Sequence, residues 1–366
     1  MYSTCFSLDY PTARQRFHAA VARAGGDFHQ LPLDIPGASG NPYGVDIAWF
    51  GSRRPRQALV HVCGIHGIEG FAGSAVQLAL LGKRPPLAEH SALILVHVLN
   101  PYGMARLRRG NENNVDLNRN FFFRTGGWQG VPDGYAALDS FLNPPSPPSH
   151  CDFFHLRLLL AELSLGAGAI RQAVAGGQYH FPKGIFYGGK ELEQEPAIYG
   201  KWLSTHLNGV RELCVIDIHT GLGEYGCPSL FLRSDTDMQG LEDALGLRQA
   251  TDNQQSQVMG YEHGGGHSSI YRHLLPETTT VCITQEFGTY NGRRLLRALR
   301  AENQYHHYGD RRIDHWSKRK LKAMFCPEDE RWRRRVVTEG VDLAHRALAL
   351  LAAEGFAGLR AGAHGT

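Results

Sequence analysis

Four short apolar runs, Ala58–Cys63, Ala92–Leu99, Leu213–Ile218 and Thr280–Thr284, constrain the fold of this 366-residue chain more than any other feature. Each is rich in Val, Ile or Leu or is β-branched. None shows the polar alternation of a strand with one wet face, so each is expected as a strand covered on both sides. Helical patterns separate them: Glu69–Leu81, Phe153–Val174, Asn291–Tyr308 and Glu339–Glu354, the last stopping at Gly355. This alternation predicts an α/β fold, a single mixed, largely parallel twisted sheet with helices on both faces. One domain over 1–366 is expected, with a helical and loop excursion at about 121–210 and a helical C-terminal region at about 291–358.

Composition narrows the function classes. Hydrophobic residues make up 42% and charged residues 20%, which excludes a disordered chain. The net charge of +3 is too balanced to imply a nucleic-acid partner. The basic runs Arg311–Lys322 and Arg331–Arg335 read as solvated helix faces. No apolar run approaches the ~20 residues of a membrane span. Met1–Phe17 carries Asp9, Pro11 and two arginines where a leader would be apolar. Seven scattered cysteines without a C-x-x-C make a reducing cytoplasm the expected compartment. Nothing in the sequence bears on oligomeric state.

Chemistry enters at the strand ends, where ligands bind in open α/β sheets. His66 and Glu69 follow the first run in Cys63-Gly-Ile-His-Gly-Ile-Glu-Gly70, Asn100 closes the second, His219 follows the third and Glu286 the fourth. An imidazole and a carboxylate three residues apart on a turn can approach one ion, and His219 supplies a third ligand. Two histidines and a glutamate with an open position form a known catalytic zinc set. Glu286 has no evident structural partner, so it reads either as a cap on the Asn291 helix or as a general base. The loop Asn100–Phe121 is too polar and too long for a mere connector. Arg109 and Arg119 flank it with planar forks suited to carboxylates and oxyanions.

With these motifs in order, the chain resembles the zinc carboxypeptidase family. The match comprises His66-x-x-Glu69, then Asn100-Pro-x-Gly103 through Arg109 to Val115-Asp-Leu-Asn-Arg-Asn-Phe121, then Asp217-Ile-His219, then Thr284-x-Glu286-x-Gly288. It looks closest to a poorly characterised bacterial branch known as a domain of unknown function. The resemblance implies a carboxypeptidase-like fold and one zinc ion per chain on His66, Glu69 and His219. It further implies Glu286 as general base and acid, Arg109 as the group polarising the scissile carbonyl, and Asn118 with Arg119 as the clamp for the substrate's terminal carboxylate. Asp217 reads either as a group orienting a ligand or as a buried structural residue. The family's mobile tyrosine has two candidates, Tyr261 and Tyr271. His263-Gly-Gly-Gly-His267 reads as a loop with incidental histidines rather than a second metal site.

Two activities fit these motifs equally: hydrolysis of a C-terminal peptide bond, or deacylation of an N-acyl amino acid as in the aspartoacylase-like branch. The full-length Asn100–Phe121 loop favours the peptidase. A catalytically silent binding protein on the same fold is expected to lack a ligand or the glutamate, and both are present.

Overall fold

The structure is a computed structural model and describes residues 2–37, 40, 42–123, 127–234, 240–242, 245, 265–353 and 355–356. Among these the strands are β1 (Asp27–Pro36), β2 (Pro42–Gly51), β3 (Gln57–Cys63), β4 (Ser91–His97), β5 (Glu212–Gly221), β6 (Pro228–Ser234) and β7 (Thr279–Gly288). They form one sheet in the order β1-β2-β4-β3-β5-β7-β6. The central strands β4, β3, β5 and β7 run parallel, while β1, β2 and β6 join antiparallel. The four apolar runs are therefore the parallel centre of the sheet.

Along β3 and β5, successive side chains alternate between two cores. Leu59 and Cys63 of β3, with Cys214, Ile216 and Ile218 of β5, face one layer. Ala58, Val60 and Val62, with Leu213 and Val215, face the other. The first layer is covered by α1 (Tyr10–Arg23), α2 (Gly70–Gly82), α9 (Gly292–Tyr308), α10 (Trp316–Phe325) and α11 (Glu330–Ala353). The second is covered chiefly by α7 (Gln194–His206) and α8 (Ser268–Leu274). Gly340 of α11 lets that helix sit close on α2, since a Cβ there would lie 2.7 Å from both γ-carbons of Val76.

The expected helices are altered in two ways. The Phe153–Val174 pattern is two helices, α5 (Phe154–Leu165) and α6 (Ala167–Ala175), broken at Gly166 with φ +82°. The last helix starts at Glu330, nine residues before the expected Glu339 (339 − 330). In the excursion, α4 (Tyr135–Leu142) joins α5 and α6 around Phe141, Phe154 and Leu158, a small cluster that also takes Leu296 from α9. The Asn100–Phe121 loop holds one short helix, α3 (Pro101–Ala105), and a 3-10 turn at Leu117–Arg119. Arg331, Arg334 and Arg335 are exposed as expected of a solvated face, whereas Lys318 is buried against Glu302 and Arg108. None of the seven cysteines is in a disulfide, and among the described residues no helix is long and apolar enough to cross a membrane.

Candidate active site

The turn after β3 is built around Gly67. A Cβ at that position would lie 2.1–2.4 Å from the backbone of Gly103 and Met104 in α3, so only glycine lets the two segments touch. Gly67 N–H donates to the Arg109 carbonyl at 3.1 Å and Ile68 N–H to that of Arg108 at 2.7 Å. Asn100 accepts from Gly103 N–H at 2.7 Å and donates to the Arg109 carbonyl at 3.2 Å. This latticework presents His66, Glu69 and Arg109 together, with Asn100 as its staple. On the other side, His219 and Glu286 are register partners on adjacent parallel strands, so both side chains stand on one sheet face.

Glu69 sits between the two histidines. His66 Nδ1 lies 2.9 Å from its Oε1 and His219 Nδ1 lies 3.2 Å from its Oε2. One ligand atom from each of the three residues falls within 4.8 Å of the other two. The outer ring nitrogens face carboxylates: His66 Nε2 is 3.1 Å from Asp116 Oδ1, and His219 Nε2 is 2.7 Å from Asp217 Oδ2. All five residues are buried. A carboxylate on Nε2 favours a proton there and a lone pair on Nδ1, the arrangement by which proteins orient metal-binding histidines. His66 Nδ1 is buried with no hydrogen bond of its own, as a nitrogen waiting for an ion would be. The donor set fits a divalent metal.

Electrostatics follow from burial and crowding. Burial alone would raise the Glu69 carboxyl, but His66 and His219 hold it well below the usual range. Asp116 and Asp217 are likewise held low against burial, by Arg109 with His66 and by His219 with His267 respectively. Burial would lower His219, yet Asp217 and Glu69 raise it well above its ordinary value. Glu286 goes the other way: burial, reinforced by the charge of Glu69, pushes it up to about 7. Its Oε1 accepts from Leu222 N–H at 2.9 Å. The Asn291 helix is capped by Asn291 itself, which leaves Glu286 out of that role.

Arg109 donates through Nε to Asp116 at 2.9 Å and through Nη1 to Glu69 at 3.0 Å, and its Nη2 lies 2.7 Å from His66 Nε2. Asn118 Oδ1 accepts from His267 N–H at 3.0 Å, so the end it can offer a ligand is its NH2. Arg119 is buried, with Nη1 on the Asn118 carbonyl at 2.8 Å. His66, Glu69, Arg109, Asn118, Arg119, His219 and Glu286 all line one cavity of about 1400 Å³. The seven residues singled out from the sequence therefore meet in one place.

Two partners escape a sequence reading. Asp116 hides among the polar residues of its loop, and its contacts with Arg109 and with His66, fifty positions away, mark it. His267 is no incidental loop histidine: its Nδ1 is 3.5 Å from Asp217 and its Nε2 is 3.0 Å from the Tyr271 hydroxyl. Tyr271 in turn meets the Tyr199 hydroxyl at 2.7 Å and is fully buried behind the site rather than lining it. Tyr261 and His263 lie outside the described residues.

The fold is similar to solved structures at low identity. One is a Shewanella amazonensis SB2B protein assigned to the metallopeptidases, at 15% identity, covering 87% of this chain and 94% of that one with TM-score 0.46. Another is bovine thrombin-activatable fibrinolysis inhibitor bound to tick carboxypeptidase inhibitor, at 14% identity, covering 94% and 99% with TM-score 0.45. A third is the murein-tripeptide amidase MpaA of Escherichia coli O157, at 17% identity, covering 78% and 95% with TM-score 0.36. No curated protein matches the sequence. A family described as "Protein of unknown function (DUF2817)" matches residues 6–339, nearly the whole chain, and the chain belongs to that family.

Proposed function

We propose that this protein is a zinc-dependent hydrolase that cleaves the amide bond beside a free carboxylate in a small peptide-like substrate. The observation that carries the reading is the pair of inward Nδ1 atoms flanking Glu69, each with its outer nitrogen fixed by a carboxylate. His66, Glu69 and His219 would hold the ion. Zinc in such a set supplies a Lewis acid that acidifies water and polarises a carbonyl.

The chain's own groups do the rest. Glu286 takes a proton from the attacking water as its oxygen bonds to the carbonyl carbon. It then gives that proton to the amine nitrogen as the C–N bond breaks. A carboxyl pushed up to about 7 is suited to both halves of that exchange. Arg109 is a pure donor, so its contact with His66 Nε2 and an Nε2–H donated to Asp116 exclude each other. Once His66 uses Nδ1 as a ligand, Nε2 carries the proton and Arg109 Nη2 is free to donate to a developing oxyanion. Arg119 and the NH2 of Asn118 bind the terminal carboxylate as a fork and a single donor.

The cavity, about 1400 Å³, is larger than the ~300–1,000 Å³ pockets that hold drug-sized ligands, which favours a peptide over a lone N-acyl amino acid. The test is the purified zinc protein offered short peptides and N-acetyl amino acids side by side. Release of the C-terminal residue from peptides, stopped by a chelator, is expected. Hydrolysis of the acyl amino acids alone would replace this reading with the deacylase.

A further inference from the structure

On the outer side of the loop that carries Asn118 and Arg119, three carboxylates meet. Glu112 comes from the loop itself, and Glu193 and Glu195 from the start of α7, and an oxygen from each lies within 4.8 Å of the others. Glu195 is fully buried and Glu193 nearly so. Among the described residues none of the three forms an ion pair. Their donors are the side-chain amides of Asn111, at 2.9 Å to Glu193 and 3.4 Å to Glu195, and of Asn113, at 2.7 Å to Glu193. Asn111 cannot turn its oxygen toward them, because Oδ1 already accepts from Asn113 N–H and Val115 N–H. Oε1 of Glu195 and both oxygens of Glu112 are buried with no hydrogen-bond partner. Glu193, although it precedes the helix, does not cap it with its side chain.

Three buried anions without a counter-charge are untenable as they stand. Either protons fill the gap or a cation does. Burial and the neighbouring carboxylates push Glu112 up to about 7 and Glu195 well above its ordinary value, which measures how strongly the cluster draws positive charge. The donors are all hard oxygens, with neither histidine nor cysteine. That is the chemistry of calcium rather than of zinc.

We propose that Glu112, Glu193 and Glu195 form a calcium-type cation site, separate from the His66–Glu69–His219 centre, that ties the clamp loop to α7. The same seam is already stitched by Asn120, whose Oδ1 accepts from Glu193 N–H at 2.8 Å and whose amide donates to the carbonyls of Gly188 and Glu191. A cation would close it on the Asn111 side.

The proposal is independent of the hydrolase reading and is tested on the zinc-loaded full chain at pH 8 after removal of calcium. Titration with CaCl2 should show one Ca2+ per chain and, at ~100-fold excess over Kd, raise Tm by about 3–4 °C. Glu195→Gln and Glu112→Gln should each abolish that rise while zinc content stays unchanged. Without calcium the Glu195→Gln chain should melt at or above the wild-type temperature, because the amide removes an uncompensated charge. Absence of calcium binding at millimolar concentration would overturn the site. An equal calcium response in wild type and both variants would also overturn it, leaving a proton-sharing carboxyl cluster.

Discussion

At the scale of single residues, the proposed mechanism divides the site into groups that meet the reaction and groups that aim them. Glu286→Gln keeps shape and hydrogen bonding but cannot take up a proton, so zinc content should stay at one per chain while kcat falls about 10²–10⁴-fold. Elemental analysis beside steady-state kinetics checks both halves; a variant with normal turnover removes Glu286 from the chemistry. Asp217→Asn tests the aiming. His219 Nε2 leans on Asp217 at 2.7 Å, and loss of that carboxylate should weaken zinc affinity about 10–100-fold, read by competition with a chromophoric chelator. Unchanged affinity would mean that Asp217 serves only the fold. The proposed ligands and base stand out in the sequence because each terminates or follows an apolar strand, where a polar side chain is conspicuous. Asp116 and His267 do not, because their neighbours in sequence are as polar as they are and their partners His66 and Asp217 each lie 50 residues away (116 − 66 and 267 − 217). The three glutamates of the second cluster are harder still, split between position 112 and positions 193 and 195 with nothing periodic to join them.

At the scale of elements, position in the sheet decides what can be read. The central strands are buried on both faces and therefore announce themselves as unbroken apolar runs. β1 lies at the sheet edge, alternates between part-exposed and exposed over most of its length and contains Pro32 and Pro36, so it imitates a loop. β6, at the other edge, opens with Pro228. Proline is tolerated at edges because no ladder bond is lost there, and that tolerance erases the strand signature. The break between α5 and α6 is hidden for a related reason: Gly166 interrupts a Leu/Ala pattern that continues in register on either side. Two glycines flanking α2 give a matched test of what an element demands. Gly67→Ala should cost about 1–3 kcal/mol and lower zinc affinity, since its methyl would enter the Gly103–Met104 backbone and push His66 and Glu69 apart. Gly82→Ala meets nothing within 4 Å and should leave Tm and zinc affinity unchanged or raise Tm slightly. Equal behaviour of the two variants, by thermal melting and zinc titration, would show that the turn is not held by this contact.

At the scale of the whole molecule, the sheet's doubly covered centre buries titratable groups that do not line the cavity, and these give the stability a pH dependence of its own. His61 of β3 and His97 of β4 both face α2, where Gln77 lies 3.4 Å from His61 Nδ1 and Ser74 Oγ 2.9 Å from His97 Nε2. Phe17 stacks on His97 with ring centroids 4.3 Å apart. The other ring nitrogen of each is buried without a partner, so a second proton would have nowhere to donate. Burial accordingly pushes both imidazoles down to about 4. In the unfolded chain they titrate near ~6.5, so between that pH and about 4 the unfolded state binds more protons. Stability is then lost as pH falls through this window, by about 1.4 kcal/mol per pH unit for each histidine, and is indifferent to them above it. Glu112 and Glu286, both raised to about 7, work in the opposite sense, because the folded state holds their protons longer and gains stability on acidification toward the ordinary carboxylate range. The total curve therefore mixes the two signs, and only a difference isolates one of them. His97→Phe keeps an aromatic ring on Phe17 and removes one titration. Relative to wild type, its denaturant-derived stability should lose about one proton of slope between pH 6.5 and 4, with no change in slope above pH 7. Parallel curves for the two proteins across that window would mean that His97 is protonated in the folded state, and the neutral, partnerless imidazole beneath α2 would have to be abandoned.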